Sequence, residues 1–126
     1  MIQTVSDSEL ELMKIIWAND GTALYAEIMD ELDSKGNAWQ KNTVITLLSR
    51  LVDKGLLKTS KIGRRNEYRA VFTEREYQAA QTQNFLDKLY EGSAKGLVLT
   101  LIQKEMISPD DYEDLKRFWK EGSKHL

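Results

Sequence analysis

The segment Gln40 to Arg69, QKNTVITLLSRLVDKGLLKTSKIGRRNEYR, holds the side chains of this chain best suited to chemistry on a polyanion. Asn42, Thr43, Thr46, Ser49 and Arg50 offer short hydrogen-bonding groups and one guanidinium at spacings of about one helical turn. Such a set touches base edges and phosphates in a DNA groove. Lys58, Lys61, Arg64 and Arg65 follow around the turn Ile62-Gly63-Arg64. On this reading Asn42, Thr43 and Thr46 supply base-edge or first-turn phosphate contacts, while Lys41 and Arg50 grip the backbone. Arg64 and Arg65, at the turn, meet phosphate or an adjacent minor groove. Lys58 and Lys61 either face the groove or keep a strand soluble.

The elements that must position these groups are legible on both sides of them. Val44, Leu47, Leu48, Leu51 and Val52 recur at i, i+3, i+4, i+7 and i+8, the stripe that a helix buries, and Gly55 ends it. Leu56–Ile62 and Asn66–Phe72 are short and β-compatible, and Gly63 between them marks a hairpin. A helix over 40–54 followed by a wing over 57–71 is the order of a winged helix-turn-helix. Upstream, Ser6-Asp7-Ser8-Glu9 is a capping box that opens a helix burying Leu10, Met13 and Trp17, with Leu12 and Ile16 beside them. Asn19-Asp20-Gly21 ends that helix, and Ala23 to Ser34 reads as a second one with Leu24, Ile28, Met29 and Leu32 inward. Thr22 to Leu24 is also compatible with a short third strand. Trp39 is expected to anchor the entrance of the third helix. The fold class is therefore mainly α with a small β-hairpin: a winged-helix DNA-binding domain over residues 1–72, then a different region over 73–126.

Charge distribution points the same way, although the total does not. The chain carries 18 Lys and Arg against 20 Asp and Glu. Residues 1–36 hold 2 basic and 8 acidic groups, residues 37–72 hold 8 and 2, and residues 73–126 hold 8 and 10. A cationic segment between acidic ones is a footprint for phosphate that also disfavours binding through other surfaces. Several classes are excluded at the level of composition. With no Cys, disulfides, thiolate metal sites and cysteine nucleophiles are absent, and the lone His125 reads as a tail residue. There is no phosphate-cradling Gly loop, and Asp110-Asp111 and Glu113-Asp114 read as capping charge at a helix start. The chain is expected to be neither an enzyme nor a binder of metal or cofactor. It has no signal-peptide pattern and no apolar stretch near 18 residues, so a soluble cytoplasmic protein without membrane insertion is expected.

Beyond Phe72 the pattern changes to three helices. Thr73-Glu74-Arg75-Glu76 is a capping box, Gly92-Ser93 is a break, and Ser108-Pro109-Asp110-Asp111 is a helix start with Pro at the first position. Tyr77, Phe85, Leu86, Leu89, Tyr90, Leu97, Leu101 and Trp119 all require burial that three short helices cannot provide. A two-fold partner is the natural solution, which makes 73–126 a dimerisation region and the chain a homodimer.

SDSELELMKIIW, NTVITLLSRLVDKGLL, the basic wing with Tyr68, and TQNFLDKLYEGSAKGLVLTLI together resemble the penicillinase-repressor family, from about Val5 to Trp119. That family includes β-lactamase, methicillin-resistance and copper-responsive repressors. The resemblance implies a homodimeric transcriptional repressor that sits on a palindromic double-stranded DNA operator. The copper-responsive branch binds metal through cysteines, and this chain has none. The antibiotic-responsive branch implies a membrane sensor–protease partner and release by cleavage at an Asn–Phe bond, for which Asn84-Phe85 is the matching dipeptide. An alternative from another class is a winged helix that docks an acidic protein. Docking would favour large apolar groups at Asn42, Thr46 and Ser49, where this chain has small polar ones.

Overall fold

A computed structural model describes residues 2–122, so His125 lies outside the described residues. The elements run α1 (Asp7–Ala18), β1 (Thr22–Leu24), α2 (Tyr25–Ser34), α3 (Lys41–Asp53), β2 (Leu57–Ile62), β3 (Arg65–Ala70), α4 (Glu74–Leu89), α5 (Ala94–Gln103) and α6 (Pro109–Gly122). They form two compact units that divide between Thr82 and Gln83, inside α4.

In the first unit, α1 begins at the expected capping box: the Glu9 amide donates to Ser6 Oγ, and the Ser6 amide donates to Glu9 Oε1. Thr22–Leu24 is a strand, so α2 starts two residues later than the helical pattern suggested. Its start is held by the Leu24 amide donating to Glu27 Oε1. The sheet is antiparallel in the order β1-β3-β2, with Thr22 opposite Arg69 and Leu57 opposite Ala70. Ile62 pairs with Arg65, leaving Gly63 and Arg64 as a two-residue loop. Gly63 has φ +64° and Arg64 does not enter the positive region, the pattern of a glycine-first hairpin turn.

One core closes this unit. Leu12, Met13, Ile15 and Ile16 of α1, Ile28 and Leu32 of α2, and Val44, Leu47, Leu48 and Leu51 of α3 meet Leu56, Leu57 and Tyr68 from the sheet. Leu10 and Trp17, expected inside, are half-buried, because the inward face of α1 turns toward Leu12 and Ile15 instead. Glu9 lies on that inward face too, three and four residues before Leu12 and Met13, and is only 1% exposed.

Tyr77, expected among the dimerisation residues, is buried within its own chain. Its burial is satisfied within the first unit, where its ring lies 5.6 Å from that of Trp17 and its hydroxyl accepts the Val5 amide at 3.2 Å. Trp17 Nε1 donates to the Phe72 carbonyl at 2.9 Å.

The second unit is stitched more sparsely. Phe85 and Tyr90 have ring centroids 5.9 Å apart, and the Tyr90 hydroxyl donates to Thr100 Oγ1 at 3.1 Å. Leu86 is buried and Leu97 and Leu101 are half-buried. Neither α5 nor α6 buries a residue fully, and Tyr112, Leu115, Phe118 and Trp119 all stand exposed on α6. No described helix is long and apolar enough to cross a membrane.

Candidate nucleic-acid interface

The polar face of α3 is built by subtraction. Once Val44, Leu47, Leu48 and Leu51 enter the core, the 3.6-residue period leaves Asn42, Thr43, Thr46, Ser49 and Arg50 exposed, with Lys41 at the helix start. Asn42, Thr43, Thr46 and Arg50 share the lining of one shallow depression of about 310 Å³. Thr46 Oγ1 donates to the Asn42 carbonyl at 2.8 Å, so its proton is committed and its lone pairs and methyl remain for a ligand. In this rotamer Thr46 accepts hydrogen bonds, which suits an exocyclic amine of adenine or cytosine.

The N-terminus of α3 is left open. Its N-cap, Gln40, makes no side-chain cap, and the first turn carries no acid. Ser6, Ser93, Thr73 with Glu76 and Ser108 with Asp111 close the starts of α1, α5, α4 and α6, and Glu27 reaches back at α2. Unsatisfied first-turn N–H groups beside Lys41 favour an anion, in the manner of helix N-termini that hold phosphate.

The wing sorts its cations by strand alternation. Lys58 and Lys61 are three residues apart and so point to opposite faces, which means one wing surface cannot use both. Lys58 pairs across the strands with Arg69, and Ile62 with Arg65, on one face; Lys61 pairs with Asn66 on the other. Arg69 was not among the expected contacts, although the same alternation identifies it. Two like charges directly opposite destabilise a hairpin unless an anion offsets them. Burial pushes the Tyr68 hydroxyl above its ordinary pKa, against a lowering contribution from Thr59, so the base of the wing holds a neutral phenol.

Of the basic residues between 37 and 72, only Lys54 is committed to structure. Its Nζ lies 2.7 Å from Oε1 of buried Glu9. Burial alone would raise the Glu9 pKa, but hydrogen bonds from Lys54 and Ser6 outweigh it and hold the carboxyl below its ordinary value. This pair ties the end of α3 to the start of α1. Lys41, Arg50, Lys58, Lys61, Arg64, Arg65 and Arg69 are all exposed, and among the described residues none of them is in an ion pair. Nor do the described residues include any His, Cys, Asp and Glu grouping able to hold a metal ion.

Three helices, a three-stranded sheet and a basic two-stranded wing following an exposed polar helix define a winged helix-turn-helix protein. More narrowly, residues 5–121 match the penicillinase repressor family, and the chain belongs to that family. It is 32% identical to the penicillinase repressor of Bacillus licheniformis over 120 residues, covering 95% of this chain and 92% of the relative. It is 31% identical to the methicillin resistance regulatory protein MecI of Mammaliicoccus sciuri over 112 residues, covering 89% of each chain. Among solved structures it resembles the monomeric form of Bacillus licheniformis BlaI in complex with the blaP half-operator. The identity there is 39% and the TM-score 0.51, over 61% of this chain and 92% of that one.

Proposed function

We propose that this chain is a dimeric transcriptional repressor that binds a two-fold-related DNA operator, each protomer presenting α3 to the major groove and its wing to the flanking backbone. One observation carries the reading. Seven exposed cationic side chains sit on one helix and the hairpin after it, with no acid paired to them among the described residues; Lys41 and Arg50 flank a face of small hydrogen-bonding groups, and the wing carries the other five, with Lys58 and Lys61 on opposite faces. Phosphate contacts of this kind give affinity, and the small polar groups between them give sequence preference. The solved BlaI complex with a half-operator supports the same use of the homologous domain.

The dimer rests on the second unit. Leu115, Phe118 and Trp119 share one stripe of α6, and Phe118 and Trp119 are 71% and 79% exposed. So much aromatic surface on a single helix is a surface for a partner, and a second copy supplies the matching stripe. Two recognition helices joined in this way engage two half-sites at once, which multiplies affinity without new contacts. The Asn84–Phe85 bond lies inside α4, where the backbone is helical. Cutting it requires α4 to open locally, and the repressor reading does not depend on that cut.

The test is a gel-shift titration of the full chain on the promoter fragment from its own genomic neighbourhood, at two salt concentrations, against an unrelated duplex. Sedimentation of the free protein runs in parallel. Tight, salt-sensitive binding that prefers the promoter with two protomers per site is expected. Absence of binding to either duplex at low salt overturns the reading in favour of protein docking.

A further inference from the structure

Resting on that repressor reading, we infer that Ile45 reads the 5-methyl group of a thymine in the major groove and so sets part of the operator sequence. Ile45 is the fifth residue of α3, one position round the helix from buried Val44, and is 49% exposed. On its own face it has Lys41 and Asn42 one turn before and Ser49 one turn after, all exposed and polar. It is thus a single aliphatic group set into a polar surface, with no exposed apolar neighbour on α3 to extend it into a docking patch. A β-branched side chain in a helix is held almost entirely in one χ1 rotamer, so its methyl groups are presented at a fixed position.

The chemistry of the groove supplies the partner. Among the bases only thymine places a methyl group on the major-groove edge, and it is recognised by apolar contact. Lys41 and the open helix start bring phosphate to one side of Ile45, and Asn42, Thr46 and Ser49 bring hydrogen-bonding groups to the other. An isoleucine between them adds discrimination that hydroxyls and amides do not supply. Thr46 also exposes a methyl, but that residue lies on the far side of Asn42 from Ile45 around the helix, so the two reach different base pairs.

The experiment uses the full-length protein and the stretch of its promoter that it protects. Each thymine is replaced in turn by deoxyuridine, which removes only the 5-methyl group, and affinity is measured for the wild-type chain, I45V and I45A. The wild type is expected to lose about three- to fivefold at one thymine of each half-site, the value of burying about one methyl group. I45A is expected to bind the unmodified site correspondingly more weakly and to show no deoxyuridine penalty at that position, with I45V between. Far-UV circular dichroism establishes that each variant is folded. If I45A retains every penalty of the wild type, or if the wild type shows none, the inference is overturned while the repressor reading stands. If the folded wild-type chain does not bind the promoter at all, both fall.

Discussion

Replacing Lys54 by methionine isolates Glu9, the one buried charge among the described residues of the DNA-binding unit. Methionine keeps the apolar stem of the lysine and removes its ammonium group. Glu9 would then keep the Ser6 amide as a partner, and its Oε2, already buried without a hydrogen bond, would stay so. Leaving one member of a buried pair costs roughly 3–5 kcal/mol. The Glu9 side chain is 2% exposed but that of Lys54 is 30%, so water reaches one end of the pair and the lower bound, about 3 kcal/mol, applies. A unit of this size is stable by roughly 4–12 kcal/mol, so K54M removes a large fraction. At about 4–8 °C per kcal/mol the melting temperature should fall by about 12–24 °C. The double variant E9Q/K54M keeps the capping acceptor and removes both charges, and it should recover most of the loss.

The same pair sets a pH dependence whose sign follows from its direction. Glu9 titrates below its ordinary value of 4.5 in the folded state, so its contribution is complete above that value and is lost as pH falls through the lower folded one. In K54M burial prevails, the Glu9 pKa rises, and protonation relieves the variant as pH falls. The gap between the two proteins should therefore narrow from pH 7 toward pH 4. Urea and thermal denaturation followed by far-UV circular dichroism at fixed protein concentration measure both effects. A K54M chain within 0.5 kcal/mol of wild type at pH 7, an approximate bound set by ordinary surface substitutions, would refute the reasoning.

Two further outcomes follow from the wing. R64A/R65A should weaken binding to all duplexes alike and lower the slope of log affinity against log salt by roughly 0.9 for each phosphate no longer neutralised, measured by titration at several ionic strengths. G63A should destabilise the hairpin by about 1 kcal/mol, visible in urea denaturation, because its φ of +64° strains an alanine although no atom lies within 4 Å to clash with the new methyl group.

Recognition helix and hairpin were legible because their signals are local. A stripe from Val44 to Leu51 and a two-residue loop containing Gly63 each lie within a dozen residues. The strand Thr22–Leu24 was less so: three residues specify little, and its pairing with Glu67, Tyr68 and Arg69 reaches more than forty residues along the chain. The intrachain packing of Tyr77 was hidden for the same reason, since its partners Val5 and Trp17 come from the other end of the unit. Glu9 hid behind a second role. Its capping motif accounts for one carboxylate function, while its position in phase with Leu12, Met13 and Ile16 already placed it inward. Arg69 and the opposite orientations of Lys58 and Lys61 required only the strand period, applied after the register was fixed.

The strand order carries a consequence beyond DNA. Because β3 is central, β1 and β2 each leave one row of backbone amides and carbonyls unpaired within the sheet. Open rows of this kind template sheet growth between molecules, and charged residues, lysine above all, discourage it. The border formed by β1 is only three residues long, and that formed by β2 carries Lys58 and Lys61 on its two faces. A protein idle between operators thus keeps its longest open border from recruiting strands of its neighbours. Neutralising both lysines to weaken DNA binding would at the same time create an aggregation-prone ribbon, LKTSKI without its charges.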